Sequence, residues 1–192
     1  MASTFPTSLD TFTNPTATSL LTSPSHSLSH SDLNDAVEAL EAKVAIGNTV
    51  LGSYISYTPT FTAGITIGNG TVAGYYCRVN NFVHVWGRLV LGSTSSVTGA
   101  VTLTVPIAMD ATVSGAFFGT FIGQVGIRDD SAATSYSGVV QTNGVAGFPT
   151  RVSLQVQNAS ATYLTNGAIS STVPMTWAVS DVLWWNMYYE AA

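Results

Sequence analysis

Short strand-like segments, separated by turn residues, recur from about residue 50 to the C-terminus. They are rich in β-branched and aromatic residues, and several alternate apolar with polar side chains. We count about nine or ten such segments at a spacing of roughly ten residues. No helical pattern interrupts them, which excludes architectures that alternate strands with helices. We therefore predict an all-β domain over residues 48–192, a jelly-roll-like antiparallel β-sandwich.

Turn signals locate several connections between these strands. Asn80-Asn81 separates GYYCRV from FVHVWGRLVL, and this arrangement predicts a β-hairpin. Asn69-Gly70 is a strong turn signal, and Pro106 is expected to end the strand VTLTVPI. The other predicted strands are YISYTPTF, GITIGNGT, SGAFFGTFIGQVGI, YSGVVQT, TRVSLQVQ, PMTWAVS and the final strand DVLWWNMYYEA.

Residues 1–30 have neither a strand nor a helix period and are predicted to form an extended arm. Pro6, Pro15 and Pro24 bias the residues before them away from helical geometry. A solvated tether has little use for large apolar side chains, so we predict that those of the arm anchor the protein on a neighbouring surface. A disordered tail with incidental apolar residues is the alternative. The predicted anchoring residues are Phe5, Leu9, Phe12, Leu20 and Leu21.

Residues 31–47 carry the one helix pattern of the chain. Leu33, Val37, Leu40 and Val44 follow one another at steps of four, three and four, which is the spacing of a heptad seam. Ser31 or Asp32 is predicted to cap the helix N-terminus. A helix this short is marginal alone in water, so it needs a partner. We predict a short coiled coil that joins copies of the chain through these four residues; docking of the helix on the β-domain is the alternative.

Composition restricts the function classes. Charged residues make up 8% of the chain, against roughly 25% in an average soluble domain, and the net charge is -5. The five basic residues are scattered, which argues against nucleic-acid binding. The single cysteine allows no intrachain disulfide, and no apolar run is long enough for a membrane span. The first residues lack the pattern of a signal peptide, so we expect synthesis in a cytoplasm.

Few side chains suit catalysis or metal binding. His26 and His30 are four residues apart, but no acid or cysteine completes a set of metal ligands. His84 lies between apolar neighbours and is expected to be a hydrogen-bonded strand residue. Cys77 is expected to be a small core residue, because no recognisable arrangement of His and Asn accompanies it.

The adjacent carboxylates Asp129 and Asp130 are expected at a solvated loop tip, and Asp181 is expected to serve a turn. Since no constellation for acid-base or nucleophilic chemistry is found, we predict that the protein is not an enzyme and needs no cofactor or metal.

The final strand carries two pairs of adjacent aromatic residues. Alternation places Trp184 and Tyr188 on one face of the strand and Trp185 and Tyr189 on the other. One face can fill the core, and the other is then available to meet a second subunit or to stack on a sugar. These four residues are therefore candidate contacts to a subunit or a glycan.

The stretch FPTSLDTFTNPT…SPSHSLSHSDLNDAVEALEAKV resembles the N-terminal module of small virion surface proteins of tailed bacteriophages, especially those of actinobacterial hosts. The segments YTPTFTAGITIGNGTVAGYYCRV and WAVSDVLWWNMYYEA are similar to β-domains of phage structural proteins. The resemblance implies a trimer made in the host cytoplasm and placed on the virion surface, where an arm grips major capsid or tail proteins and the β-domain projects.

Two functions are compatible with this resemblance. The chain is short for a receptor-binding tail fibre and has no long repetitive shaft, which favours a capsid decoration or minor capsid protein. A tail fibre or tail-tip protein that binds host surface glycans is the alternative.

Overall fold

The computed structural model describes residues 30–38, 53–110, 119–142, 150–159 and 162–192. The chain divides into two units, Met1–Ser53 and Tyr54–Ala192. Two sets of predicted functional residues lie outside the described residues. They are the anchoring residues Phe5, Leu9, Phe12, Leu20 and Leu21, and the seam residues Leu40 and Val44.

Residues 30–38 are helical. The predicted cap at Ser31 or Asp32 is wrong, because His30 is already part of the helix and a capping residue has non-helical geometry. Leu33 and Val37 lie one turn apart, on the same side of the helix. Their side chains are 55% and 45% exposed, so this apolar stripe is open to solvent.

Ten strands form the β-domain within the described residues, and every pairing between them is antiparallel. The predicted all-β, antiparallel character is therefore confirmed. The strands are β1 (Ile55–Tyr57), β2 (Phe61–Thr66), β3 (Thr71–Val79), β4 (Phe82–Val90), β5 (Ser96–Thr104), β6 (Phe121–Asp129), β7 (Thr134–Thr142), β8 (Arg151–Asn158), β9 (Thr165–Ala168) and β10 (Val182–Glu190).

The strands form one hydrogen-bonded sheet that curls back on itself. Its order is β1-β3-β4-β10-β6-β7-β8-β5-β2, and β9 pairs with β8. Strands β1 and β2 lie at opposite ends of this order, although only residues 58–60 connect them. Four Cα–Cα steps reach about 15 Å at most, so the two ends of the sheet must lie close together. Accordingly, the Phe61 ring of β2 contacts the Trp185 ring of β10 edge to face, with centroids 5.8 Å apart.

The core fills the concave face of the sheet. Along β4 and β10, buried side chains alternate with exposed or half-buried ones, as expected for strands with one solvated face. Trp185 is the largest fully buried side chain. Its indole lies against Gly87 of β4, where a Cβ atom would come within 2.3 Å of the ring. The packing of this tryptophan therefore depends on a glycine in the neighbouring strand.

The connections predicted from turn residues are correct in part. Val79 and Phe82 pair across Asn80-Asn81, which confirms the predicted β3–β4 hairpin. The Asn69-Gly70 turn is present, but the strands that flank it do not pair with each other, since β2 pairs with β5. The backbone N–H of Asn69 instead donates to the Thr94 hydroxyl at 2.9 Å, and this hydrogen bond connects the turn to the β4–β5 connection. Strand β5 ends at Thr104, before Pro106 as predicted.

The predicted strand PMTWAVS is wrong: this segment is a loop. Its polar groups are satisfied locally, since the Trp177 indole N–H donates to the Ser170 carbonyl at 2.9 Å. The fully buried carboxylate of Asp181 accepts from the Ala178 amide at 2.6 Å and from the Asp130 amide at 3.0 Å. These bonds replace the ladder of a strand and fix the loop to the β6–β7 turn, so Asp181 serves a turn as predicted.

Candidate functional site

The outer, convex face of the sheet carries an unusual number of aromatic side chains. On β10, Trp185 and Tyr189 are 1% and 4% exposed and belong to the core, whereas Trp184 and Tyr188 are 39% and 47% exposed. The predicted alternation is therefore correct. Trp185 and Tyr189 are not available for contact with a subunit or a glycan, because the core already covers them.

Strand register places the outer-face residues in rows that cross the sheet. One row runs from Cys77 through His84 to Tyr188, and the next runs from Tyr75 through Trp86 to Asn186. Phe82 stands beside the first row, opposite Glu190. Together these aromatic side chains form what we name the outer aromatic surface, which consists of Tyr54, Tyr75, Phe82, His84, Trp86 and Tyr188.

The rings of this surface stack on one another. Tyr75 and Trp86 have centroids 4.6 Å apart and planes inclined by 23°. His84 and Tyr188 are 4.4 Å apart at 10°, and Phe82 and Tyr188 are 5.7 Å apart at 23°. Near-parallel contacts of this kind consume ring faces within the surface. What the surface offers to a partner is therefore largely ring edges and hydroxyl groups.

His84 is fixed by hydrogen bonds at both ring nitrogens. Nε2 lies 2.9 Å from Asn186 Oδ1, and Nδ1 lies 2.7 Å from the Tyr54 hydroxyl. Because the amide oxygen can only accept, Nε2 carries the proton and Nδ1 accepts from Tyr54. His84 is thus the hydrogen-bonded strand histidine that was predicted. Partial desolvation of the Tyr54 hydroxyl, followed by the electrostatic effect of the nearby Cys77 and Tyr188 side chains, raises the pKa of Tyr54 although its ring is largely exposed.

Cys77 is not a core residue, contrary to prediction. It is half-buried on the outer face and lies directly opposite His84 in the β3–β4 hairpin. His84 in turn forms a hydrogen bond with Asn186. Sequence reasoning missed this grouping because register, not sequence spacing, brings the three residues together. A thiol nucleophile needs a histidine nitrogen within hydrogen-bond reach. Here Tyr54 occupies Nδ1 and Asn186 occupies Nε2, so the arrangement is not that of a thiol–imidazole pair.

Trp184 lies at the edge of this surface, in a different setting. Its indole crosses from β10 over Gly126 of β6, where a Cβ atom would come within 2.0 to 2.2 Å of three ring atoms. With β6 beneath it and 39% of its surface exposed, the ring is accessible from the solvent side. Beyond Gly126, the same row continues through Ser137 and Gln157 to Asn166. These are neutral hydrogen-bonding side chains, and the Ser137 hydroxyl donates to Gln157 Oε1 at 2.7 Å.

The paired acids of the β6–β7 turn serve local structure. Asp129 Oδ1 accepts from the Ala132 amide at 2.9 Å and from the Ser131 hydroxyl at 2.8 Å. These bonds lower the pKa of Asp129. Asp130 pairs with Arg128 at 3.3 Å, and both side chains are about half exposed. The two carboxylates therefore lie at a solvated turn, as expected.

Within the described ranges, no group of three or more His, Cys, Asp or Glu residues is placed to hold a metal ion. Among the same residues, no helix has both the length and the apolar character needed to cross a membrane.

Comparisons with known protein families, curated proteins and solved structures found no match to this chain.

Proposed function

We propose that the protein is a non-enzymatic structural protein of a bacteriophage particle, a capsid decoration or minor capsid protein. It forms a homo-oligomer, a trimer in this proposal, on the virion surface. The N-terminal arm binds the particle and the β-domain is displayed. The observation that supports this proposal is the apolar stripe of the helix, in which Leu33 and Val37 are exposed although their spacing is that of a coiled-coil seam.

In this proposal, copies of the chain associate through the apolar stripe of the helix. Two aliphatic side chains left in water on a short helix favour association, because burial against a second copy removes their apolar surface from solvent. Such a helix is marginal alone and gains stability from its neighbours. Leu40 and Val44 extend the same seam by one more heptad in the sequence. Association of helices would also hold several arms together, so that weak anchoring contacts act jointly.

The test of association is the mass of the full chain in solution, measured by light scattering. Leu33→Asp places a carboxylate in the seam and is expected to lower the mass toward that of the 20.0 kDa single chain. Asn34→Asp is the matched control, because it adds the same charge at the next helical position, which is also exposed. An equal mass for the two variants would refute the seam.

The β-domain is proposed to be a jelly-roll-like sandwich made by folding the curled sheet over its core. Strands β1-β3-β4-β10-β6 form one half, and β7-β8-β5-β2 form the other. The contact between Phe61 of β2 and Trp185 of β10 supports this description, since it joins the two halves across the core.

Anchoring through the arm rests on the sequence and on the resemblance. The expected result is that Phe5→Ser combined with Phe12→Ser abolishes binding of the full chain to particles and leaves its oligomeric mass unchanged. Thr7→Ser combined with Thr11→Ser is the control in the same segment. Undiminished binding of the phenylalanine variant would place the anchor elsewhere in the protein.

A second candidate function is glycan binding by a tail fibre or tail-tip protein. The observation that favours it is Trp184, whose exposed indole borders the neutral row of Ser137, Gln157 and Asn166. An aromatic ring beside neutral amide and hydroxyl groups suits a sugar, which offers both apolar C–H faces and hydroxyl groups.

Gly126→Ala tests this candidate sharply. The new methyl group would lie where the indole now lies, so Trp184 must swing away from β6. Because the ring is partly exposed, this movement is expected to cost little stability but to abolish retention on host cell-wall polysaccharide. Gly99→Ala is the control, since nothing lies within 4 Å of its added Cβ. Failure of the unmodified protein to bind polysaccharide would remove this candidate.

A further inference from the structure

We propose that the outer aromatic surface is a contact surface between β-domains, and that its occupant is a second copy of this chain. The inference rests on the proposed homo-oligomer and extends it, because it adds a second set of contacts to those of the helix. It concerns Tyr54, Tyr75, Phe82, His84, Trp86 and Tyr188, which are separate from the polar row beyond Trp184.

The outer aromatic surface exposes several large apolar side chains. Tyr54, Phe82, Trp86 and Tyr188 are 53%, 50%, 38% and 47% exposed. A contiguous group of large rings left in water is typical of a surface that associates with a partner. Aromatic side chains are also those enriched at protein interfaces.

The orientation of the rings favours a protein partner over a sugar. Stacking of Tyr75 on Trp86 and of Tyr188 on His84 uses ring faces inside the surface. A sugar stacks on an open ring face, whereas a protein partner can pack against edges and side-chain hydroxyls. Among the described aromatic residues of this sheet face, Trp184 retains the setting that suits a sugar. The stacked cluster therefore favours a protein partner.

Two opposite charges flank the outer aromatic surface. Arg88 and Glu190 are exposed at opposite ends of the surface, and neither forms an ion pair among the described residues. Arg88 pairs in register with Trp184, and Glu190 is six residues further along β10. Six strand residues span about 20 Å, so the two charges cannot meet within one chain. They can meet between copies, where Arg88 of one copy faces Glu190 of the next.

Cys77 provides a native reporter for this contact. It is the single cysteine of the chain, and it is half-buried within the surface, beside His84. The rate at which a maleimide labels its thiol should fall when a second copy covers the surface. The full-length protein is expected to label slowly, and R88E and E190R are each expected to label several-fold faster, because each variant brings like charges together.

The double variant R88E/E190R tests whether Arg88 of one copy pairs with Glu190 of the next. It restores opposite charges between copies, so its labelling rate should return toward that of the unmodified protein. Trp86→Asp should label fast without rescue, while Tyr163→Asp, which changes an 81% exposed side chain outside the surface, should not alter the rate. Circular dichroism of each variant checks that the β-domain is folded.

Equal labelling rates for the unmodified protein, R88E and Trp86→Asp would overturn the inference. If the mass of the unmodified protein is then still oligomeric, the helix-based proposal survives and only this surface is refuted. A monomeric mass together with equal labelling rates would refute both. Fast labelling of the double variant, like that of its parents, would also overturn the pairing of Arg88 with Glu190.

Discussion

Gly87 is the position at which the packing of the core can be tested most sharply. Gly87→Ala would place a Cβ atom 2.3 Å from Trp185 Cζ2 and 2.8 Å from the Ala73 carbonyl oxygen. Carbon atoms prefer separations of about 3.5–4.0 Å, so the indole must move by more than about 1 Å. Trp185 is 1% exposed and contacts the Phe61 ring edge to face, so its movement must displace neighbouring core side chains.

Two effects of this substitution oppose each other. Overpacking of a core costs about 1–3 kcal/mol, whereas replacing a strand glycine by alanine gains about 0.5–1 kcal/mol of backbone entropy. Gly99→Ala makes the same entropic gain without any contact within 4 Å. The difference between the two variants therefore isolates the clash, and we expect Gly87→Ala to be less stable than Gly99→Ala by about 1–3 kcal/mol.

Urea denaturation, followed by tryptophan fluorescence at one fixed protein concentration, measures this difference. At roughly 2–4 °C per kcal/mol for a domain of this size, thermal melting should show Gly87→Ala several degrees below Gly99→Ala. Equal stability of the two variants would refute the packing of Trp185 on Gly87. It would also question the curl of the sheet, because the same ring contacts Phe61.

Four further predictions concern three buried polar side chains, those of Tyr57, Tyr189 and Asp181. The Tyr57 hydroxyl is buried and makes no well-aligned hydrogen bond, although the neighbouring Trp185 indole N–H lowers its pKa, so Tyr57→Phe should change stability by no more than about 1 kcal/mol in urea denaturation. Burial raises the pKa of Tyr57 to about 12, above the value of about 10 in an unfolded chain. The unfolded chain therefore loses this proton first, and the free energy of unfolding should fall by up to about 2–3 kcal/mol between pH 10 and pH 12. The fall should be smaller in Tyr57→Phe, and an equal fall in both proteins would contradict this assignment. Tyr189→Phe should instead cost about 1 kcal/mol, because the Tyr189 hydroxyl donates to the Ile107 carbonyl at 2.9 Å, and an unchanged urea midpoint would count against that bond. Asp181→Ala removes a buried carboxylate that accepts from the backbone amides of Ala178 and Asp130 and should cost about 1–3 kcal/mol, whereas a loss below about 0.5 kcal/mol would show that water replaces the carboxylate.

Strand identity could be predicted where alternation and turn residues agree. In β10 the period of two correctly separated Trp185 from Trp184, and Asn80-Asn81 correctly marked a hairpin. The segment PMTWAVS has apolar residues at strand-like positions, but the buried Asp181 carboxylate holds it as a loop. Strand β9, with the sequence TNGA, has no large apolar side chain and gave no signal.

The candidate surface could be predicted only in part. Aromatic residues on both faces of β10 were visible in the sequence, but the outer aromatic surface depends on strands β3, β4 and β10 lying side by side. Such long-range pairing is not encoded in local periodicity. The position of Cys77 was missed for the same reason, because its neighbour His84 is set by register across a hairpin.

The central proposal is that the protein belongs to a phage particle. An antibody against the β-domain, tagged with gold and applied to intact particles of a phage that carries this gene, tests this proposal by electron microscopy. We predict gold over the head shell. Gold confined to the tail would favour the glycan-binding candidate and direct attention to Trp184. Particles without gold, from a preparation in which the protein is otherwise expressed, would contradict the account.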